Sequence, residues 1–234
     1  MAGTKKTEKK KEALKQKAST AKKTTKTAKP KKATPKAAKA GVKKGLKVVP
    51  RKGATLLKSK VSYTGPMFRV TTDTVLEPSG RTSVRDVIRH NGSVVILATD
   101  ESKKKKDPWI VMERQYRYAA GQFLWELPAG KLDSGEDALT GAKRELSEET
   151  GYQAKKWKSI VDYFASPGFM GEKMFIFHAE GLVAGDAHPE EDEAIDFRLV
   201  RLSEVLEWID KGRILDGKTM VGVMLFARKL GLRP

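Results

Sequence analysis

One stretch, residues 130–152, constrains the fold of this 234-residue chain more than any other. It reads GKLDSGEDALTGAKRELSEETGY, and small or apolar residues recur in it at spacings of three and four: Ala138, Leu139, Ala142 and Leu146. This spacing predicts an amphipathic helix. Glu145, Glu148 and Glu149 are also three and four residues apart, so the helix would carry all three carboxylates on one face.

Three carboxylates on one helix face repel one another and weaken an isolated helix by roughly a few tenths of a kcal/mol for each like-charged pair. This repulsion favours a compensating cation. Mg²⁺ prefers oxygen ligands, and proteins often hold it with a few carboxylates together with the phosphates of a substrate. The alternative is an acidic helix that simply faces solvent.

The residues around this helix predict where it begins and ends. Gly130 and Gly135 would allow a tight loop before it, and Asp133 or Ser134 would cap its first turn. Gly151 follows the last apolar residue and is a typical helix stop. A loop that leads into a helix N-terminus also offers backbone N–H groups to a phosphate.

The whole stretch resembles the signature of the Nudix hydrolases. A glycine at 130, a glutamate at 136 and the string R-E-apolar-x-E-E-x-G-apolar at 144–152 all stand at the signature's spacing. Nudix hydrolases cleave nucleoside diphosphates that are linked to another moiety. The resemblance implies an α/β fold, the Nudix α/β/α sandwich with a mixed sheet. Because every defined position of the signature is matched, we prefer this interpretation to an acidic helix that simply faces solvent.

The resemblance also implies roles for individual residues. The metal would be Mg²⁺, with Mn²⁺ as the alternative, and its ligands would be the backbone carbonyl of Ala129 and the carboxylates of Glu145, Glu148 and Glu149. Arg144 would orient the glutamates through charge-assisted hydrogen bonds. Glu136 would tie the loop to the helix or reach the metal through a water molecule.

Two further strings resemble one Nudix subgroup, the ADP-ribose pyrophosphatases. The first is Q-Y-R at 115–117 with W-E-L-P-A-G-K at 125–131, and the second is S-P-G at 166–168, whose proline stands sixteen residues beyond Gly151. In that subgroup a short antiparallel N-terminal sheet precedes the catalytic fold and helps to form a homodimer. Residues 61–92 would form this sheet region, and residues 93–234 would form the catalytic core.

The subgroup also suggests substrate-binding residues. Arg117 and Arg85 would contact the phosphate or base of the substrate, because a planar guanidinium suits bidentate phosphate recognition. For Arg85, a structural role on the surface or between paired strands is an equal alternative to substrate binding. Pro167 would mark a substrate-binding loop, and the alternative is an ordinary turn.

A second acidic cluster, H-P-E-E-D-E-A-I-D at 188–196, falls in a predicted loop. Related enzymes carry a catalytic glutamate on a mobile loop at this place. Glu191 and Glu193 align best with it, and Glu190 aligns less well. A glutamate near a metal-bound water would act as a general base, whereas the alternative is a solvated acidic loop.

Alternating and apolar runs predict the remaining elements. Strands are expected at 68–72, 84–89, 93–98, 109–116, 123–128, 157–164, 173–179 and 195–202. Two later helices are expected at 204–211, with Ser203 as its cap, and at 217–230.

The net charge of +18 belongs almost entirely to the first quarter of the chain. Residues 1–60 hold 22 lysines and arginines and only two acids, while residues 61–234 are close to neutral. The first segment resembles the Lys/Ala/Pro-rich tails of linker histones in composition, and such a chain cannot bury enough apolar surface to order itself. We expect a disordered tail that binds nucleic acid without sequence preference; the alternative is a solvated tail.

The sequence also excludes several classes of site. It has no cysteine, which excludes disulfides and thiolate metal sites and agrees with a reducing compartment. No apolar run approaches the roughly 20 residues that span a bilayer, and no apolar stretch follows the basic N-terminus as in a secretory signal. We therefore expect a cytoplasmic protein without a membrane partner, associated with the nucleoid or chromatin if its tail binds nucleic acid.

The resemblance to the ADP-ribose pyrophosphatases implies Mg²⁺-dependent hydrolysis of ADP-ribose or a related nucleoside-diphosphate sugar, giving a nucleoside monophosphate and a sugar phosphate. Two alternatives stay open. One is hydrolysis of dinucleoside polyphosphates or capped RNA. The other is a nucleotide sensor without turnover, tethered to nucleic acid, although such a domain would be expected to lose at least one of the three glutamates.

Overall fold

The computed structural model describes residues 53–100, 102, 106–188 and 195–232. These residues form ten strands and three α-helices. The strands are β1 (Thr55–Thr64), β2 (Arg69–Leu76), β3 (Thr82–Arg89), β4 (Ser93–Asp100), β5 (Trp109–Arg117), β6 (Gln122–Glu126), β7 (Ala129–Lys131), β8 (Gln153–Phe164), β9 (Lys173–Val183) and β10 (Asp196–Arg201). The helices are α1 (Ala138–Thr150), α2 (Leu202–Asp210) and α3 (Gly217–Lys229).

The first three strands form a small antiparallel sheet, as the sequence predicts. Its first strand was not expected, because β1 begins at Thr55 and so overlaps the predicted tail, which was placed at 1–60. Backbone pairing with β2 needs no apolar side chains, and the hydroxyl of Ser59 adds a hydrogen bond of 2.6 Å to the carboxylate of Asp73. The disorder predicted for the rest of the tail concerns residues 1–52, which lie outside the described part of the chain.

The small sheet is tied by backbone hydrogen bonds to the loop between β8 and β9. Ile88 N donates to the carbonyl of Phe169 at 2.8 Å, and Gly171 N donates to the carbonyl of Ile88 at 2.9 Å. Two bonds on one residue of β3 continue the strand ladder into this loop. The loop that contains Pro167 is therefore held by the N-terminal sheet.

The larger sheet has seven strands and is mixed, because β4 and β9 are parallel while every other pair is antiparallel. The apolar run of β4 explains its central place. Val94 and Ile96 pack in a core with Ala142 and Leu146 of α1. The alternate residues of β4, Val95 and Leu97, pack in a second core with α2 and α3, as expected for a strand buried on both faces.

Helices thus cover both faces of the sheet, and the predicted α/β/α sandwich is confirmed. Burial of an aliphatic side chain of this size stabilises the fold by roughly 1.5–3 kcal/mol. In the described part of the chain, no helix is both long and apolar enough to cross a membrane.

The helix α1 begins later than the sequence suggested. Its N-cap is Asp137, whose carboxylate accepts hydrogen bonds from Leu139 N and Thr140 N at 3.1 Å each. The predicted caps, Asp133 and Ser134, belong to the preceding loop instead. Gly151 ends the helix in the left-handed conformation, with φ of 71°, as predicted.

The helix α2 also begins without its predicted cap. It starts at Leu202, one residue before Ser203, and its own N-cap side chain makes no capping bond. The carboxylate of Asp107, in the loop before β5, accepts a hydrogen bond from Ser203 N at 2.9 Å. A side chain distant in sequence therefore satisfies the exposed N–H group of this helix.

Candidate active site

Two of the three glutamates of α1 face a cavity of about 950 Å³. Gly130 of β7 and Glu145 and Glu148 of α1 line it. The cavity is also lined by Arg117, the last residue of β5, and by Lys218 in the first turn of α3. The cavity therefore brings together segments that are separated by more than one hundred positions in the sequence.

Arg144 connects the acidic residues beside this cavity. Its Nε and Nη2 both donate to Glu136 at 3.0 Å, and its Nη1 donates to Glu145 at 2.9 Å and to Glu148 at 3.0 Å. The bonds that Arg144 donates to Glu136, together with the charge of Glu145, raise the pKa of Arg144 above its usual value. The guanidinium thereby offsets the repulsion between carboxylates that the helix face creates.

Glu136 joins the preceding loop to α1. Besides its two bonds from Arg144, it accepts a hydrogen bond from Asp133 N at 3.0 Å. The bonds from Arg144 hold the pKa of Glu136 below its ordinary value, with the backbone bond from Asp133 as a second cause. Its carboxylate is therefore charged at neutral pH and anchors the loop.

Glu149 points toward β7. Ala129 N donates to its carboxylate at 3.1 Å, and the side chain is buried. Glu145 is buried as well, whereas Glu148 is half exposed. Glu145, Glu148 and the carbonyl of Ala129 are oxygen donors at one edge of the cavity, and Glu149 lies beside Ala129. In the described part of the chain, however, no three acidic or histidine side chains stand close enough to hold an ion without rearrangement.

A buried acid beside Glu149 was not predicted from the sequence. Glu113 of β5 is only 3% exposed and its side chain hydrogen-bonds to that of Glu149. The pKa of Glu113 is raised to about 8, chiefly by burial and also by the charge of Glu126, although the hydrogen bond with Glu149 acts in the opposite direction. One oxygen of Glu113 is buried without a hydrogen-bond partner among the described residues.

Glu126 of β6 is a second buried acid, and two cations share it. Arg117 donates to its two oxygens at 2.8 and 2.7 Å, and Lys218 of α3 contacts the second oxygen as well. Burial alone would raise the pKa of Glu126, but the hydrogen bond from Arg117 and the charges of Lys218 and Arg117 bring the pKa below its ordinary value. Glu126 is therefore an ionised carboxylate in the interior.

The sequence does contain a signal for Glu113 and Glu126, since both acids stand in runs that are otherwise apolar. Glu113 interrupts W-I-V-M-E at 109–113, and Glu126 interrupts F-L-W-E-L at 123–127. Glutamate is seldom fully buried without a partner. A strand that reads as buried and contains one therefore predicts an ion pair or a functional site.

The other predicted site residues lie in three different surroundings. Arg85 donates to Glu77 within the small sheet and is not among the described residues that line the cavity. Pro167 is not a lining residue either, although Ala165 and Glu172 of the same loop are. Glu191 and Glu193, with Glu190, lie outside the described residues.

The chain just before those glutamates is attached to the site. His188 lines the cavity, and its N–H donates to the carbonyl of Glu148 at 2.8 Å. The carbonyl of Gly185 lies against Gly151, where an added Cβ would approach it to 2.5 Å. The segment leading to residue 189 is thus packed on the C-terminal end of α1.

The fold is a mixed sheet between two layers of helices. Its site combines the acidic helix α1, in which Arg144 joins Glu145 and Glu148, with the strand β7 that contains Gly130. These features define a class of α/β domain. The family model of the NUDIX domain matches residues 89–220, and the chain belongs to this family. The match begins at the end of β3 and runs into α3, so it includes every strand of the large sheet.

Named relatives agree with this assignment. The methanol dehydrogenase activator of Bacillus methanolicus is 38% identical over 170 residues, covering 71% of this chain and 89% of the relative. The ADP-ribose pyrophosphatase of Bacillus subtilis (strain 168) is 35% identical over 182 residues, covering 76% and 95%. The predicted resemblance to Nudix ADP-ribose pyrophosphatases is thereby confirmed.

A solved structure supports the fold independently. The crystal structure of an ADP compounds hydrolase superposes with a TM-score of 0.67, covering 78% of this chain and 97% of the other. Only 18% of the residues are identical. At this level the likeness concerns the arrangement of strands and helices.

Proposed function

We propose that this protein hydrolyses the pyrophosphate bond of ADP-ribose or a related nucleoside-diphosphate sugar, giving a nucleoside monophosphate and a sugar phosphate. The observation that carries the proposal is that Arg144 links Glu145 and Glu148 at the wall of a cavity, with Glu149 on the same helix bonded to Ala129 N. The name of the Bacillus subtilis relative agrees with this reaction. A cavity of about 950 Å³ is at the upper end of the range for small-molecule sites.

The donor set suits a hard divalent cation, Mg²⁺ or Mn²⁺. Carboxylates of Glu145, Glu148 and Glu149 and the carbonyl of Ala129 are the oxygen ligands that such ions prefer. Since Arg144 holds Glu145 and Glu148 in the structure, their side chains would turn to bind an ion. When bound, the ion would supply charge neutralisation at the diphosphate and acidify a water molecule.

The protein's own side chains provide orientation. Arg144 limits the directions that Glu145 and Glu148 can take, because one nitrogen donates to both. Ala129 N limits Glu149 in the same way. Arg117 is held by two bonds to Glu126 and lines the cavity, and its remaining N–H groups would donate to a phosphate oxygen.

The general base is proposed to be Glu191 or Glu193. Support comes from His188, which lines the cavity and is hydrogen-bonded to α1 just before these residues. A chain of three to five residues from this anchor is short enough to keep a glutamate near the cavity. Single Glu→Gln variants at both positions, compared by kcat over a range of pH, would identify which of them acts.

The decisive experiment is a substrate panel with Mg²⁺, in which ADP-ribose, other nucleoside-diphosphate sugars, a dinucleoside polyphosphate and capped RNA are compared. Glu149→Gln should lower kcat by about a thousandfold or more, because a metal ligand is lost. Glu207→Gln is the matched control, since Glu207 is an exposed glutamate paired with Lys211 on α2. Turnover of ADP-ribose that survives Glu149→Gln would contradict the proposal.

The proposed enzyme is a homodimer. The small sheet supports this, because every residue of β1 is exposed, including Leu56, Leu57, Val61 and Tyr63. Contiguous exposed apolar residues are typical of an interaction surface. Light scattering of the wild type and of a Leu57→Glu, Val61→Glu variant should give a dimer and a monomer respectively; a monomeric wild type would contradict this part of the proposal.

The basic segment is proposed to bind DNA or RNA through its charge alone. Its 22 basic residues against two acids support counterion release as the source of affinity. A variant that lacks residues 1–52 should lose DNA retention at low salt and keep its hydrolysis of ADP-ribose unchanged. A parallel fall in hydrolysis would contradict a separate tether.

A further inference from the structure

We propose that Lys218 is a phosphate-binding residue that acts together with Arg117 on one phosphate of the substrate, a role that rests on the proposed hydrolysis of a diphosphate. Lys218 lies in the first turn of α3 and lines the same cavity as Glu145 and Glu148. It stands 92 residues after Glu126 in the sequence, with which it is paired. The match to the NUDIX domain includes this position without assigning it a role.

Two cations on one carboxylate are held close together. Arg117 Nη2 is 2.7 Å from Glu126 Oε2, and Lys218 Nζ contacts the same oxygen. Since each nitrogen is within hydrogen-bonding distance of one atom, the two nitrogens are no more than about 6 Å apart. Two oxygens of a single phosphate can reach cations at such a separation.

Both cations keep donors for a ligand. Glu126 takes Nε and Nη2 of Arg117, which leaves the remaining N–H groups of a five-donor guanidinium. Lys218 contacts Glu126 and, at 3.0 Å, Asp216, which leaves one of its three ammonium protons. A shared anion with spare donors on both cations is the arrangement expected of a preorganised phosphate clamp.

Burial distinguishes this lysine from a surface lysine. Its side chain is 10% exposed, and that of Glu126 is 2% exposed, so neither charge is strongly screened by solvent. Glu126 and Asp216 together hold the Lys218 ammonium in place at the wall of the cavity, in the same way that Glu126 holds Arg117. The remaining proton of this fixed ammonium is available on the cavity side, where the substrate's phosphates would lie.

The backbone around Lys218 is held rigidly. Thr219 Oγ1 donates to Asp216 at 2.6 Å and accepts a hydrogen bond from Leu127 N at 2.8 Å, so the start of α3 is fastened to the chain just after Glu126. Asp216 also caps the helix by accepting from Thr219 N at 2.9 Å. Lys218 can therefore hold a phosphate without a large loss of conformational freedom.

The test measures binding of methylenediphosphonate, a non-hydrolysable diphosphate, to the full-length protein by calorimetry at constant Mg²⁺ and ionic strength. Lys218→Gln should raise its Kd tenfold or more, while Lys218→Arg, which keeps the charge, should stay within about threefold of the wild type. Lys211→Gln is the matched control, because Lys211 pairs with Glu207 at the exposed end of α2. In ADP-ribose hydrolysis the same loss should appear mainly in KM.

Three results would overturn the proposal. The first is a folded Lys218→Gln variant that binds methylenediphosphonate as the wild type does, and the second is an equal loss of affinity in Lys218→Gln and Lys218→Arg. The third is a wild type that does not bind methylenediphosphonate. If Lys218→Gln does not fold, the comparison is made in a background without the buried carboxylate. The double variant that combines Glu126→Gln with Lys218→Gln must then bind methylenediphosphonate more weakly than the single variant Glu126→Gln. Failure of the proposed function is recognised separately, as binding of methylenediphosphonate without hydrolysis of any compound in the panel.

Discussion

A Cβ atom placed on Gly130 would lie 1.9 Å from the carboxyl carbon of Glu145. The backbone of β7 and the side chain of α1 are in direct contact at this point, and no residue with a side chain fits between them. Gly130 was expected to allow a tight loop, but it lies within β7. It is required because of this close approach rather than because of a turn.

Gly130→Ala is therefore expected to displace Glu145 while the fold persists. A shift of about 1 Å at a ligand or orienting group lowers kcat by roughly a hundredfold. Steady-state kinetics with ADP-ribose would measure the loss, and thermal unfolding would show whether the protein is still folded. Gly53→Ala, where an added Cβ meets nothing within 4 Å, is the control; activity near the wild-type level in Gly130→Ala would contradict the expectation.

Arg144→Lys should lower kcat by about a hundredfold or more and also reduce stability. A lysine cannot reproduce the fork that joins Glu136, Glu145 and Glu148, so the carboxylates would repel each other and lose their common orientation. Kinetics and thermal unfolding measure the two effects. Lys143→Gln changes an exposed neighbour on the same helix and should alter neither.

The buried Glu113 predicts a pH dependence of stability. Its pKa, about 8 in the folded protein, is above the ordinary value of 4.5, so between these values the folded state holds a proton that the unfolded state releases. Stability contributed by this group is complete below about pH 4.5 and is lost as the pH rises to about 8. The slope is up to about 1.4 kcal/mol for each pH unit.

Glu113→Gln isolates this effect because glutamine keeps the shape and cannot ionise. The free energy of unfolding of the wild type, measured with urea in EDTA, should fall relative to that of the variant as the pH is raised from 5 to 8. Parallel curves for the two proteins would mean that Glu113 is ionised in the folded state.

Asp137→Ala should reduce the free energy of unfolding by about 1 kcal/mol, because two backbone N–H groups of α1 lose their acceptor. Ser134→Ala, at a position where the sequence suggested a cap, should change it little. Urea unfolding of the two variants compares the positions directly. A larger effect at Ser134 would mean that the helix is capped from the earlier position.

Local pattern accounts for the parts of the site that could be predicted. Glu145, Glu148 and Glu149 follow from spacing within one helix, and the stop at Gly151 follows from glycine's access to positive φ. The cap was harder to locate, because Asp133, Ser134 and Asp137 all carry suitable oxygens. Only the register of the loop, held by the bonds of Glu136, selects among them.

The rest of the site depends on long-range contacts that no local period encodes. Glu113, Glu126 and Lys218 lie on β5, β6 and α3; an acid within an apolar run marks the first two as unusual, but nothing local shows that they lie near Lys218. The first strand, β1, was missed because its lysines and its lack of an aromatic residue before Tyr63 resemble the tail before it. Its order comes from pairing with β2, which is a property of the partner strand.

The hydrogen bonds of Ile88 with Phe169 and Gly171 have a mechanical consequence. They couple the small sheet to the loop that ends at Glu172, a lining residue of the cavity. β1 pairs with β2 and β2 pairs with β3, so two strand ladders connect Thr55 at the start of the small sheet to this loop. A substitution that disturbs the pairing of β1 is therefore expected to disturb the rim of the cavity at Glu172 as well as the small sheet.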